Sequence, residues 1–284
     1  MTAAIVIPAL NERPTIGAIV QEARSIVPHV VVVDDGSSDG TANAAEAVGA
    51  IVLRHESPRG VGGALRSGFQ YALDLGVKSV VTIDGDGAHD PNQVASLLEV
   101  HANRNADLTI GARFSLRDLT CNGMPSSKFA ANYVARAVFN FLANTDFSDV
   151  LSGMRAYDRT FLASISDQDG FSFQLDTLLI ASNMKINVCE YPITVRYNAL
   201  EPLATSRDEL LDLLTFIRSI DPVSLQDQLD LVVTHVKSWL PVSFKCSNIS
   251  VIAHPLPEIN SYLFQLQDPW YERVLSHIAT MEVP

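Results

Sequence analysis

Cysteine is scarce in this sequence and follows no pattern. The 284 residues include three cysteines, Cys121, Cys189 and Cys246, which are odd in number and far apart. This spacing excludes a disulfide framework and matches no zinc-binding motif. We therefore expect buried thiols in a reducing cytosol.

Positive charge is also in short supply. Lysine and arginine total 20 against 32 aspartates and glutamates, so the formal net charge is −12 and the isoelectric point is near 4.9. Nucleic acids and anionic lipid surfaces are bound through basic patches, so this balance argues against both as electrostatic partners. A nucleotide can still bind, provided that a metal ion and a few local arginines meet its phosphates.

Long apolar runs are missing as well. No stretch approaches the roughly 20 residues that cross a bilayer. The amino terminus enters a strand without the charged and apolar regions of a signal peptide. The sequence therefore predicts a soluble, cytoplasmic protein without a transmembrane segment, and leaves a peripheral contact with a membrane open.

What the first half does contain is a regular alternation of strands and helices. Short β-branched runs occupy residues 3–7, 30–33, 50–53, 80–83 and 108–111. Segments with helical spacing of apolar residues separate them, at residues 16–27, 41–48, 64–75 and 91–103. Short connections between alternating strands and helices predict parallel βαβ units in a doubly wound α/β sheet.

The second half is less regular and predicts a boundary. It contains, in order, a predicted helix, a polar loop, a helix and a strand, at residues 128–142, 149–155, 173–183 and 186–196. From residue 208 two amphipathic segments precede a proline-rich end. We predict one domain over residues 1–207 and a helical or mixed extension over residues 208–284. The apolar faces of the extension favour packing or a homodimer contact.

Two carboxylates follow the run at residues 80–83 directly. In Asp84-Gly85-Asp86-Gly87 the acids are two positions apart on a glycine-rich loop. Ligands of open α/β sheets bind beyond the carboxyl ends of the strands. Paired acids there suit a hard divalent cation that carries phosphate oxygens. The alternative is a solvated turn in which the acids satisfy backbone donors.

Three further loops end predicted strands at similar intervals along the chain. They are Pro8-Ala9-Leu10-Asn11-Glu12, Asp34-Asp35-Gly36-Ser37 and Arg59-Gly60-Val61-Gly62. With Asp84-Gly85-Asp86, Gly111-Ala112-Arg113-Phe114, Ser152-Gly153-Met154-Arg155-Ala156-Tyr157 and Phe173-Gln174-Leu175-Asp176, this order resembles family 2 glycosyltransferases of the GT-A fold. The resemblance covers about residues 3–207. It is strongest to the dolichyl-phosphate mannosyltransferases and their bacterial polyprenyl-phosphate relatives.

The resemblance implies a binding site for a nucleotide sugar. Asp35 would accept a hydrogen bond from the base, and the Arg59 loop would close over the nucleoside. Asp84 would contact the ribose or the sugar, and Asp86 would hold a Mg²⁺ or Mn²⁺ ion that bridges the diphosphate. The residues implied to bind the nucleotide sugar are Pro8, Leu10, Glu12, Asp35, Arg59, Gly60, Asp84, Gly85, Asp86, Arg113 and Gln174.

The resemblance also implies the catalytic residues Asp84, Arg155 and Asp176. Arg155 would pair with an acceptor phosphate. Asp176 would be the general base for a hydroxyl acceptor, and would position the sugar for a phosphate acceptor. The alternative for Asp176 is an acid that interacts with a helix N-terminus. For Arg113, implied to hold the pyrophosphate, the alternative is a surface salt bridge.

Two positions depart from the family pattern. Many relatives carry a glutamine two residues after the second acid, where this chain has Ala88. Water or His89 would then complete the metal site, and otherwise His89 is a packing residue beside it. The Gly-x-Ser-Lys element that clamps the donor has no full counterpart in residues 198–207, where only Ser206-Arg207 resembles its end.

The resemblance implies an inverting glycosyltransferase. It would move a hexose from GDP-mannose or a UDP-hexose to a polyprenyl phosphate or a glycan hydroxyl, in one displacement at the anomeric carbon. A nucleotidyltransferase is disfavoured, because residues 8–14 contain no glycine and so lack its phosphate loop. A catalytically degenerate, glycosyltransferase-like protein used for binding or assembly is the remaining alternative.

Overall fold

The computed structural model describes residues 2–114, 143–165 and 173–197, together with residues 132, 135, 136, 139 and 140. In this part of the chain seven strands form one sheet. They are β1 (Ala3–Ala9), β2 (His29–Asp34), β3 (Ile51–Arg54), β4 (Ser79–Thr82), β5 (Leu108–Ala112), β6 (Arg155–Asp158) and β7 (Val188–Pro192). The helices with described bounds are α1 (Arg13–Ile26), α2 (Thr41–Ala47), α3 (Gly60–Asp74), α4 (Gln93–Asn103), α5 (Arg159–Leu162) and α6 (Phe173–Met184).

The strand order across the sheet is β3-β2-β1-β4-β6-β5-β7. Strands β1 to β4 run parallel to one another, and β7 is parallel to β5. Strand β6 lies antiparallel between β4 and β5. The predicted mostly parallel α/β sheet flanked by helices is therefore confirmed.

Strand β1 is central because both of its faces are covered. Ile5 and Ile7 are fully buried in a core that includes Ile16 of α1. Val6 points to the other face, where α3 approaches so closely that a Cβ on Gly68 would collide with the Val6 side chain. Alternate residues of one apolar strand thus pack against different helices, as expected for a parallel sheet buried on both sides.

Strand β6 corrects the prediction that residues 149–155 begin a polar loop. The loop ends at Met154, and Arg155 already pairs with Thr82 of β4 and with Ile110 of β5. The sequence Arg-Ala-Tyr-Asp shows no strand pattern, because its first residue is a buried arginine. Interior arginines are rare, so hydrophobic patterning misses such a strand.

The other predicted elements are found with shifted ends. Helix α3 begins at Gly60 and not at residue 64, and α4 begins at Gln93 and not at residue 91. The predicted strand over residues 186–196 is shorter, although Val195 forms an isolated bridge with His89. The described residues of the predicted helix at 128–142 are helical.

All thirteen of these elements fall within one compact unit, made of Met1–Gly123 and Phe147–Asn198. Met124–Asp146 and Ala199–Pro284 are assigned to a second unit. The domain boundary predicted at residue 207, the Ser206-Arg207 element and the extension over residues 208–284 lie outside the described residues. No described helix is long and apolar enough to cross a membrane.

Candidate functional site

The predicted site lies at the point of the sheet where the strand order reverses, next to β1. Strand β1 has β2 on one side and β4 on the other, both parallel to it. The loops that follow these strands therefore emerge at one edge of the sheet, which is where ligands of doubly wound folds bind.

Hydrogen bonds join these loops directly. The Asn11 N–H donates to Ser37 Oγ at 2.8 Å, and the Asp35 N–H donates to the Ala9 carbonyl at 2.9 Å. The Thr15 hydroxyl donates to the Gly85 carbonyl at 2.7 Å, which ties α1 to the loop after β4. The structure thus brings Glu12, Asp35, Asp84 and Asp86 to one edge of the sheet. We call these four residues the carboxylate cluster.

Asp35 is buried and accepts hydrogen bonds from the start of α3. Its oxygens accept from the backbone N–H groups of Arg59 and Gly60 at 2.8–3.1 Å. The first N–H groups of a helix have no partner within the helix, so Asp35 caps α3 from the neighbouring loop. His55 Nδ1 lies 2.6 Å from Asp35 Oδ1. The predicted contacts of Asp35, Arg59 and Gly60 with a nucleoside stay predictions.

Asp84 and Asp86 are held differently. The Asp84 side chain is 39% exposed, and its backbone N–H donates to His89 Nδ1 at 3.2 Å. Asp86 Oδ1 accepts from the Ala88 N–H at 2.8 Å, which closes a local turn. His89 is buried, and its Nδ1 also lies 3.2 Å from Asp84 Oδ2, so both contacts of this nitrogen are with Asp84 and the structure favours the packing role of His89 over metal binding through Nδ1.

The pKa of Glu12 reflects burial and the concentration of negative charge in the carboxylate cluster. Burial, followed by the negative charge of Asp86, raises the pKa of Glu12 to about 7, and the charge of Asp84 adds a smaller contribution. A hydrogen bond from Thr15 opposes the shift. The site therefore concentrates negative charge that no described side chain of opposite sign balances at Glu12.

This donor set suits a divalent cation that arrives with phosphate. Among the described residues no group of three or more His, Cys, Asp or Glu side chains could hold a metal alone. Mg²⁺ commonly uses one or two carboxylates and completes its shell with water and substrate phosphates. Asp86, with Asp84 two positions before it, meets that requirement, and the described residues offer no site that would hold a metal through protein ligands alone.

Arg113 forms an ion pair with a residue that sequence reasoning missed. Its Nε and Nη2 donate to the two oxygens of Asp149 at 2.8 and 2.9 Å, and its backbone N–H donates to Oδ2 at 2.9 Å. Burial by itself would raise the pKa of Asp149, but the charge and hydrogen bonds of Arg113 hold it below the usual value. The pair is almost fully buried, so the surface salt bridge considered for Arg113 does not describe it.

Arg155 is completely buried at the start of β6. Its guanidinium donates to the backbone carbonyls of Val150, Ser152 and Gln174 at 2.8–3.0 Å. These bonds connect the loop before β6 to the first turn of α6. The contact with an acceptor that the resemblance implies for Arg155 stays a prediction. We call Arg113, Asp149 and Arg155 the arginine cluster.

The remaining predicted residues lie at the rims of these two clusters. Leu10 is 44% exposed and Pro8 is half-buried after β1, whereas a Cβ on Gly85 would lie 3.0 Å from the Pro8 carbonyl. Asp176 is buried in the first turn of α6, where Gln174 accepts from Arg155 through its carbonyl. These positions neither establish nor overturn the predicted roles.

Gly153 is a second residue that the sequence did not single out for its own role. A Cβ at this position would collide with both carboxylate oxygens of Asp84. The Gly153 carbonyl accepts from the Thr82 hydroxyl at 2.6 Å, which fixes the loop against β4. The missing side chain at Gly153 therefore leaves space for the Asp84 carboxylate. The two residues are 69 positions apart in the sequence, so no local pattern reveals this contact.

Comparison with known proteins gives a consistent picture. The family model described as Glycosyl transferase family 2 matches residues 4–165. The polyprenol monophosphomannose synthase of Mycolicibacterium smegmatis is 33% identical over 202 residues, covering 67% of this chain and 76% of that protein. The undecaprenyl-phosphate mannosyltransferase of Micrococcus luteus is 32% identical over 200 residues, covering 66% and 81%.

A solved structure shares the fold. The glucosyl-3-phosphoglycerate synthase of Mycobacterium tuberculosis, crystallised with Mn²⁺, UDP-glucose and phosphoglyceric acid, superposes with a TM-score of 0.59. The two chains are 24% identical, and the match covers 75% of this chain and 79% of the other. The likeness supports the predicted GT-A fold.

Proposed function

Because this chain belongs to glycosyltransferase family 2, we propose that it transfers a hexose from a nucleotide sugar to a polyprenyl phosphate with inversion at the anomeric carbon. The observation that carries the proposal is the carboxylate cluster at the edge of the sheet where β1 and β4 end. The two relatives named for polyprenyl-phosphate mannose transfer support the acceptor class. Both are transferring enzymes by name, so the non-catalytic alternative has no support.

The donor would bind across the loops that follow β1, β2 and β4. Pro8, Leu10 and Glu12 would line the nucleoside pocket beside Asp35. Asp35 is already held by the first turn of α3, so the Arg59 loop and the base would share one carboxylate. Asp84, partly exposed beside Gly153, would meet the ribose or the sugar.

Asp86 would hold the divalent cation, with water and the donor diphosphate supplying the other ligands. When bound, the cation stabilises the negative charge on the leaving nucleoside diphosphate. The Mn²⁺ and UDP-glucose in the solved structure of the same fold support this choice of ligand. The ion would be a divalent cation, either Mg²⁺ or Mn²⁺.

The chain supplies orientation for a single displacement. An oxygen of the lipid phosphate attacks the anomeric carbon while the bond from that carbon to the nucleotide oxygen breaks, and the nucleoside diphosphate leaves with the electron pair. A phosphate is already anionic, so no general base is needed. Asp176 and Gln174 would then position the sugar.

The two arginines take different parts in this proposal. Arg113 would meet phosphate oxygens while Asp149 fixes its orientation through Nε and Nη2. Paired N–H groups of a guanidinium suit paired phosphate oxygens. Arg155 would act through the loop that its three carbonyl contacts hold, because its guanidinium is completely buried. The reaction would take place at the cytoplasmic face of a membrane, with the protein bound there peripherally.

The test is a transfer assay with matched acceptors. The full chain is incubated with labelled GDP-mannose, UDP-glucose or UDP-N-acetylglucosamine, Mn²⁺ and undecaprenyl phosphate in detergent. We expect label to enter the organic phase with one donor class, in a product whose anomeric configuration is opposite to that of the donor. Undecaprenol without its phosphate is the control and should accept no sugar. Transfer to undecaprenol, or hydrolysis of every donor without transfer, would overturn the proposal.

A further inference from the structure

The imidazole of His55 lies between a carboxylate and a hydroxyl. Its Nδ1 is 2.6 Å from Asp35 Oδ1, and its Nε2 is 2.9 Å from Ser67 Oγ on α3. The His55 and Asp35 side chains are 10% and 5% exposed, so both contacts are shielded from water. None of the roles considered above includes His55 or Ser67.

The two contacts leave the ring one orientation. At 2.6 Å from a carboxylate oxygen, Nδ1 must carry a proton and donate it, because two lone pairs would repel each other at that distance. The Ser67 hydroxyl, which also lies 3.2 Å from the Gly63 carbonyl, holds the opposite nitrogen. The imidazole therefore cannot turn without breaking a buried hydrogen bond at each end.

The Asp35 carboxylate is consequently fixed from two directions. His55 binds Oδ1, and the N–H groups of Arg59 and Gly60 bind from the start of α3. A carboxylate offers about four lone-pair positions. With most of these occupied, the direction open to a ligand N–H is set by the protein before the ligand arrives.

We propose that His55 is a positioning residue that determines base specificity at the nucleoside pocket, with Ser67 holding its ring. This inference rests on the proposed function, since it concerns the donor nucleoside that Asp35 would bind. An oriented carboxylate accepts the ring N–H of uracil or guanine. It repels the lone pair that cytosine and adenine present at the same ring position, because a buried acceptor facing a lone pair is unpaired.

Binding of nucleoside diphosphates to the full chain tests the inference. The His55→Ala substitution should weaken UDP or GDP, whichever the wild type prefers, by about tenfold or more, as expected for loss of an oriented hydrogen bond to a charged group. The affinity for CDP, already weak, should stay the same. In transfer assays the KM for the donor should rise, and kcat and the KM for the acceptor should hardly change.

The His55→Asn substitution separates positioning from packing. The asparagine side chain amide can place an N–H near the position of Nδ1 but leaves the space of the ring empty. We expect it to restore nucleotide affinity to within about threefold of wild type, by analogy with a retained hydrogen bond, while the melting temperature without nucleotide stays below that of wild type, because the packing of the ring and its contact with Ser67 are lost. In an Asp35→Asn background, His55→Ala should cost no further affinity.

A matched control is available in the same fold. His101 is buried and its Nδ1 lies 2.9 Å from Thr109 Oγ1, far along the chain from the nucleoside loops. His101→Ala should lower thermal stability without changing nucleotide affinity. An equal loss of affinity from His101→Ala, or from His55→Asn and His55→Ala alike, would show that the effect is packing and would overturn the inference.

The outcomes distinguish this inference from the proposed function. A wild type that binds UDP or GDP but transfers no sugar to undecaprenyl phosphate overturns the proposed function alone, and the binding series still decides the role of His55. Unchanged nucleotide affinity in His55→Ala, alongside normal transfer, overturns the inference alone. A wild type that binds no nucleotide overturns both.

Discussion

The carboxylate cluster and the arginine cluster lie within one compact unit, and they treat charge in opposite ways. In the first, Asp84 keeps solvent contact and Glu12 has a pKa of about 7, because burial and neighbouring negative charge disfavour its ionised form. In the second, Asp149 and Arg113 neutralise each other almost completely out of water, and Arg155 is surrounded by carbonyls. The concentration of carboxylates at Glu12, Asp84 and Asp86 favours a ligand that supplies positive charge. The charges of Arg113 and Asp149 balance each other, and this buried pair instead positions the guanidinium.

The largest expected effect comes from removing the cation ligand of the carboxylate cluster. Asp86→Asn should lower kcat/KM by about a thousandfold, because metal stabilisation of a leaving group contributes several kcal/mol. Asp90→Asn is the control, since Asp90 lies on the same loop, where it accepts hydrogen bonds from Asn92 and lies 3.6 Å from the exposed guanidinium of Arg196. Near-normal transfer by Asp86→Asn at limiting Mn²⁺ would contradict the assignment of Asp86 as the cation ligand.

The next effect is on stability and belongs to the arginine cluster. Asp149→Asn leaves Arg113 buried without its counter-charge, which should lower the free energy of unfolding by about 3–5 kcal/mol at neutral pH. Urea unfolding measures it. Glu46→Gln, which breaks the half-exposed pair with Arg54, is the control and should cost less than about 1 kcal/mol. Equal losses in the two variants would contradict the assignment of Asp149.

The same pair predicts a pH dependence with a definite sign. The pKa of Asp149 is lower in the folded chain than in the unfolded chain, because Arg113 outweighs the effect of burial. Its contribution to stability is therefore fully present above the unfolded pKa and is lost as the pH falls through the folded pKa. Wild type should lose stability in this acid range and Asp149→Asn should lose less of it.

A smaller effect is expected where the loop before β6 touches the carboxylate cluster. Gly153→Ala should reduce kcat/KM by about ten- to a hundredfold, since misplacing a positioned group by an ångström has that order of effect. The Gly153 backbone lies outside the left-handed region, so the change acts through Asp84 and not through strain. Gly17→Ala on α1, where nothing lies within 4 Å of the new methyl group, is the control. Full activity in Gly153→Ala would show that transfer does not depend on the position of the Asp84 carboxylate.

The smallest effect concerns Glu12 in the presence of EDTA. A raised pKa of about 7 means that ionisation of Glu12 opposes folding as the pH rises from the unfolded value towards 7 and above. Glu12→Gln should therefore raise the melting temperature at about pH 8 and leave it unchanged at about pH 4, as thermal unfolding would show. Glu22→Gln on the exposed side of α1 should change neither. A stabilisation independent of pH would contradict the electrostatic account.

The parts of the site that the sequence predicts are those carried by contiguous loops. Asp84 and Asp86 directly follow an apolar run, and Asp35 follows another, so strand patterning alone brings them to one edge of the sheet. Asp149, Gly153 and His55 act through partners 36, 69 and 20 positions away, which only the tertiary fold brings together. The charge of Arg113 and its place after a predicted strand could be seen in the sequence, but its buried partner Asp149 could not.

The fold shows the same division. Strands β1 to β4 were predicted because each is an apolar run followed by a helix, whereas β6 begins with a buried arginine and contains no apolar run. Burial of a charged residue depends on carbonyls that point at it from other segments, and sequence periodicity carries no information about those. The predictions made for residues 198–284 stay predictions.

The antiparallel insertion of β6 has a consequence for how the chain is made. Among the strands that the structure describes, β5 and β7 join the sheet through β6, because β4 pairs with β1 and β6 and not with β5. As the chain leaves the ribosome, β1 to β4 can pair early, but β5 must wait until residues 155–158 have emerged. The nascent chain therefore completes its nucleotide-side loops first and receives Arg155 and Gly153 with the strand that closes the sheet. A stalled or truncated chain ending before residue 155 would expose the hydrogen-bonding edge of β4, which is the kind of edge that other chains pair with.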